Sequence, residues 1–175
     1  SRGHRVVGLK PIASGAGPSR SGLRNADALA LAAESSVELP YELTNPYCFG
    51  LAVAPHLAAR EAGVRVSPDD LLDWYGRATA GAEFAIVEGA GGWRVPLHPD
   101  GFLSELPERL GLGVMLVVGL RLGCLNHARL TFEAILSGKR CPFAGWIGNQ
   151  VDAGFERLDA NVATLERLLG APPLA

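Results

Sequence analysis

Short apolar runs rich in branched residues take turns, along this chain, with stretches of helical periodicity. Few architectures accept that order. RVVGL (5–9), FAIVEG (84–89), GVMLVVGL (113–120) and FAGWIGN (143–149) read as strands. The third is apolar on both faces, the mark of a central parallel strand covered on each side. Between them, NADALALAAES (25–35), SPDDLLDWYGRATAG (67–81), CLNHARLTFEAILSG (124–138) and FERLDANVATLERLLG (155–170) read as helices. Asn25 and Ser67 stand where N-caps belong, and Pro68 takes the first helical position ahead of Asp69 and Asp70. Gly81 lies near the end of the second helix, and Gly138 and Gly170 close the later two. The pattern predicts an α/β fold: a mostly parallel central sheet flanked by helices in three layers. Ligands of such sheets bind beyond the carboxyl ends of the strands. The segment SGAGPSRSG (14–22) reads as the most flexible loop.

With 175 residues, the chain suits one domain, and at 48% hydrophobic and 19% charged it can fill a core. A net charge of −2 with mixed signs gives no footprint for nucleic acid. No apolar run is as long as a membrane span, and no leader pattern opens the chain at Ser1. Cys48, Cys124 and Cys141 are widely spaced and odd in number, which favours reduced thiols in the cytoplasm over a disulfide framework.

The strand ends carry the chemistry. Lys10 follows the first strand, Glu88 and a run of small residues (Gly89, Ala90, Gly91, Gly92) follow the second, GLRLGCLN follows the third, and Asn149 ends the fourth. EGAGG reads either as a phosphate-and-magnesium turn or as a tight turn whose glycines only supply unusual dihedrals. Lys10 reads as a site residue or as an ordinary exposed lysine. Asp27 serves a metal or merely the helix dipole. His56 and His127, near helix starts, read as packing or capping groups. No G-x-S-x-G elbow occurs, so serine-hydrolase chemistry is set aside.

Seven segments, KPIASG (10–15), LRNADALAL (23–31), NPYCF (45–49), APHLAA (54–59), VEGAGGW (87–93), VVGLRLGCLNHARLT (117–131) and AGWIGNQV (144–151), together resemble the dethiobiotin synthetases. The resemblance implies a P-loop NTPase-like fold and a cytoplasmic homodimer. It also implies an ATP- and magnesium-dependent ligase of biotin biosynthesis that joins carbon dioxide to 7,8-diaminopelargonate to give dethiobiotin. It gives Lys10 the role of catalytic lysine and Ser14 that of a substrate contact. Asp27 and Glu88 become magnesium ligands. Asp27, Glu88, Gly89, Ala90 and Gly91 would line the nucleotide, with Asn149 and Gln150 on the adenine side. Gly123, Cys124 and Asn126 would hold the substrate carboxylate at the dimer interface. A second reading is a non-catalytic nucleotide- or metabolite-binding module of the same fold, or the synthetase-like domain of a corrinoid-acid amidotransferase.

Three departures from the family pattern stand out, one of them at the C-terminal end, where the family is expected to continue past GAPPLA into a segment that closes over the nucleotide. The family opens with a strand and a P-loop, G-x-x-x-x-G-K-[ST], and this sequence contains no Gly-Lys-Ser or Gly-Lys-Thr. The expectation is therefore a fragment of a single complete domain, inactive and poorly soluble by itself. Ala54 stands where relatives can carry serine, which is expected to alter polar contacts and not the reaction.

Overall fold

The first branched run forms strand β1 (Val6–Leu9) in the computed structural model, which describes residues 3–99 and 101–175. Short strands β2 (Ile12–Ala13), β3 (Gly17–Ser19) and β4 (Gly22–Arg24) follow, then α1 (Ala26–Glu34) and the single helical turn α2 (Tyr41–Thr44). Next come β5 (Tyr47–Cys48), α3 (Pro55–Glu61), α4 (Pro68–Thr79), β6 (Phe84–Val87), β7 (Pro96–His98), β8 (Gly101–Phe102) and α5 (Glu105–Leu110). The chain ends with β9 (Val114–Leu120), α6 (Cys124–Ser137), β10 (Phe143–Gln150) and α7 (Leu158–Leu169). It forms two compact units, Ser1–Leu106 and Pro107–Ala175.

In the first unit, β1 and β6 run parallel, with Leu9 beside Val87. β2 and β5 form a second short parallel pair. Helices α1, α2 and α4 pack on β1. The packing of α1 is close: a Cβ on Gly8 would lie 2.8 Å from the backbone oxygen of Leu31, so only glycine admits the helix there. The predicted caps form, Asn25 accepting from the Ala28 N–H and Ser67 from that of Asp70. The core includes Val7, Leu9, Ile12, Leu71 and Trp74.

In the second unit, β9 and β10 run parallel, and α6 packs on β9 and against α7. Val118, Leu120, Cys124, Ala128, Trp146, Leu165 and Leu169 make its core. The last residues lie along β10: the Leu174 N–H donates to Trp146 O and the Gly148 N–H to Ala175 O. Gly145, at φ +126°, marks the irregular step in β10 and leaves room for the Leu174 side chain.

Two expectations need correction. The flexible loop at 14–22 contributes to an antiparallel hairpin of β3 and β4, turned at Gly22 with φ +98°. β9 is not covered on both faces, because Met115 and Val117 are 46% and 59% exposed. β6 likewise leaves Phe84 and Ile86 open. Gly138 closes α6 as expected, with right-handed dihedrals, and Lys139 after it takes φ +52°. Among the described residues no helix is long and apolar enough to cross a membrane.

Candidate active site

A parallel pair in step delivers two side chains to the same end of a ladder. Lys10 leaves β1 one residue after Leu9, and Glu88 leaves β6 one residue after Val87. The Glu88 N–H donates to Leu9 O and continues the pairing by one step. Asp27 comes from the first turn of α1, beyond the Asn25 cap.

These three side chains meet. Lys10 Nζ lies 2.6 Å from Glu88 Oε1 and 2.9 Å from Asp27 Oδ2, and donates to Gly89 O at 3.0 Å. The ammonium donates to Glu88 Oε1 and Gly89 O, and Asp27 adds a second ion pair. The Lys10 side chain is 5% exposed, against 54% and 47% for the two carboxylates. Burial of an ammonium is costly unless it is paired and hydrogen-bonded, and both conditions are met. The reading of Lys10 as an ordinary surface lysine is therefore excluded. Asp27 stands in the first turn of α1, where its charge complements the helix dipole, and it pairs with Lys10 from there.

Two carboxylates around one ammonium leave a net negative charge on a half-open surface. Each carboxylate pairs with Lys10 through one of its two oxygens. Such a donor set suits a small hard cation that keeps waters and phosphate oxygens, as magnesium does, better than an all-protein cage. Among the described residues no three His, Cys, Asp or Glu side chains gather into such a cage.

The backbone of Lys10 is fixed as firmly as its head. Its N–H donates to Thr44 O at 2.8 Å, and its carbonyl accepts from Asn45 Nδ2 at 2.7 Å. Asn45 also donates to Tyr47 O and accepts from the Tyr41 hydroxyl at 3.1 Å. The Tyr41 oxygen in turn accepts the Asn25 N–H at 2.8 Å. Burial pushes the Tyr41 phenol above its usual range, against the pull of the Asn25 N–H, so it keeps its proton at neutral pH. The Arg24 guanidinium stacks 4.0 Å over its ring. Sequence reasoning missed Tyr41 and gave Asn45 no role. Asn45 did open NPYCF, one of the seven segments of the resemblance, but nothing in the sequence joined it to Tyr41 four residues earlier.

The other predicted residues divide between the units. In the first, Ser14 follows β2 and is half-buried, and Gly91 and Gly92 take φ +75° and +133°. Those two glycines thus meet a dihedral requirement whatever they bind. Ala54 is the N-cap of α3 and offers no side-chain cap. In the second unit, Asn149 and Gln150 end β10, both exposed. Gly123, at φ +94°, opens α6 without a side-chain cap, and Asn126 is exposed in its first turn. Cys124 between them is 3% exposed in the core, and its N–H already donates to Arg121 O. His56 and His127 lie in the first turns of α3 and α6.

Comparison with known proteins bears on the family and the fold. A family model described as an AAA domain matches residues 2–175. The chain is 53% identical to an ATP-dependent dethiobiotin synthetase BioD of Pseudomonas paraeruginosa, across 99% of this chain and 76% of that protein. It is 48% identical to the protein so named in Xylella fastidiosa, across 98% and 75%. For that of Cellvibrio japonicus the identity is 46%, across 99% and 75%. Among solved structures, a ParA family ATPase from Chlorobium tepidum superposes with a TM-score of 0.52 at 15% identity, covering 98% of this chain and 69% of that one. This last likeness concerns the fold alone, a P-loop ATPase fold with parallel strands and flanking helices. At such identity and coverage, this chain belongs to the family of ATP-dependent dethiobiotin synthetases.

Proposed function

We propose that this protein makes dethiobiotin from 7,8-diaminopelargonate, carbon dioxide and ATP. The observation that carries the reading is the buried Lys10 ammonium held between Asp27 and Glu88 at the end of the β1–β6 pair. One substrate amine adds to carbon dioxide, forming an N–C bond and losing a proton, to give a carbamate. A carbamate oxygen takes the γ-phosphoryl group of ATP, and the bond to the ADP oxygen breaks. The second amine attacks the carbonyl carbon, a proton and inorganic phosphate leave, and the cyclic urea closes.

Within this scheme Lys10 is a preorganised positive charge. It stabilises the oxygens of the carbamate and of the transferring phosphoryl group without reorganising as charge develops. Asp27 and Glu88 orient that ammonium and would hold magnesium, which when bound neutralises phosphate charge. The turn Gly89–Ala90–Gly91 borders the phosphates, Ser14 the substrate, and Asn149 and Gln150 the adenine. The uncapped start of α6 at Gly123 and Asn126 suits a carboxylate tail, with Cys124 packed behind it. Leu122, 92% exposed beside that helix start, is the apolar anchor that a homodimer would bury there. Three free thiols suit a cytoplasmic, reducing setting.

The test is the full-length protein with diaminopelargonate, ATP, magnesium and radiolabelled bicarbonate. Labelled dethiobiotin, with one phosphate released per ring closed, is expected. ATP binding without labelled product would overturn the proposal.

A further inference from the structure

We infer that Tyr41 and Asn45 are positioning residues: they set where Asp27 stands against the Lys10 ammonium. The inference rests on the function proposed above and adds residues to it.

The hydrogen-bond directions leave one consistent assignment. Asn45 Nδ2 faces two carbonyls, Lys10 O at 2.7 Å and Tyr47 O at 3.1 Å, so it must be the donor end of the amide. Asn45 Oδ1 is therefore an acceptor, and the Tyr41 hydroxyl 3.1 Å away spends its single proton on it, which leaves the Cys48 thiol, 3.6 Å from the same hydroxyl, as donor in that contact. The hydroxyl oxygen then has a lone pair for the Asn25 N–H. One continuous path thus runs from the Lys10 carbonyl through Asn45 and Tyr41 to the backbone that opens α1. Asp27 lies two residues further along that helix.

The path is short and stiff. Asn45 is 2% exposed and Thr44, whose carbonyl accepts the Lys10 N–H, is 1% exposed. Tyr41 and Asn45 are also joined through their backbones, the Asn45 N–H donating to Tyr41 O. From outside, the Trp74 indole donates to Leu43 O and holds the turn in place. One helical turn therefore grips the backbone on both sides of the 2.9 Å Lys10–Asp27 pair. The other pair, Lys10 with Glu88, is set by the β1–β6 ladder and does not pass through α2. Loosening α2 should disturb the Asp27 side and leave the Glu88 side in register.

That asymmetry gives the test. Tyr41→Phe keeps the ring and removes only the hydroxyl. In the full-length protein it should lower kcat about 10- to 100-fold, the scale of a small misplacement of a catalytic group, and change the diaminopelargonate KM far less. In an Asp27→Asn background the same change should cost no more than about twofold, whereas in a Glu88→Gln background it should cost its full factor. Asn45→Ala should repeat this pattern. An unchanged kcat, or an equal loss in all three backgrounds, would overturn the inference. So would loss of cooperative melting in both Tyr41→Phe and Asn45→Ala, because it would assign the pair to the scaffold. If the parent protein forms no dethiobiotin, it is the proposed reaction that fails, a result distinct from all of these.

Discussion

Lys10 combines a charge with near-complete burial, and its two carboxylate partners lie 17 and 78 positions away along the chain. Glu88→Gln replaces a charge with an amide at almost the same volume. It should leave the fold intact and reduce magnesium-dependent turnover by about 10- to 1,000-fold. Asp27→Asn should act in the same direction, and full activity of both at limiting magnesium would mark the acids as structural. Sequence reading named all three residues, yet could not distinguish Lys10 from a surface lysine. A single lysine after a strand does not reveal its partners, because the register of a parallel pair is set by packing. Cys141 offers a separate check. Burial, and then the nearby Glu108 carboxylate, push its thiol above the usual range. The native state thus holds that proton more tightly than the unfolded chain. The resulting stability is present in full below the ordinary thiol range and is lost as pH rises through it, from about 8.5 upward. Melting temperatures of the parent and Cys141→Ala, followed from pH 7 to 10, should converge at the alkaline end. A constant gap would contradict the assigned cause.

At the level of elements, local signals were read well and tertiary ones poorly. Asn25 and Ser67 cap their helices because capping is decided within four residues, and their side chains and the N–H groups they satisfy are neighbours in sequence. The hairpin of β3 and β4 reads as a loop in sequence because glycine, proline and serine dominate it. Helix α7 starts at Leu158, three residues after its apolar pattern begins, because Arg157 takes φ +56°. Ala54, read from sequence only as a place where relatives can carry serine, is the N-cap of α3. Ala54→Ser should supply the missing side-chain acceptor and stabilise the protein by about 0.5–2 kcal/mol, visible as a higher midpoint in urea. β9 looked double-faced because all its residues but Gly119 are apolar, and apolarity in sequence does not say that a cover is present. Val117, 59% exposed, should accept threonine within about 0.5 kcal/mol. Trp146, fully buried and donating to Ala171 O, should cost about 3–5 kcal/mol as alanine. Equal costs at the two positions would show that the β9 face is covered in solution.

For the whole molecule, the order of strands and helices was legible, and so was the family, from seven segments in register. The division into Ser1–Leu106 and Pro107–Ala175 was not, since no linker composition marks residue 106 and α5 runs across it. The central claim is that the buried Lys10 ammonium acts in the chemistry and not in holding the nucleotide. Single-turnover formation of labelled dethiobiotin by Lys10→Ala in the full-length protein, alongside nucleotide affinity, tests it most directly. The rate should fall by at least about 100-fold, with ATP affinity changed by no more than a few fold. A normal single-turnover rate with weakened ATP or substrate binding would contradict it and make Lys10 a binding residue.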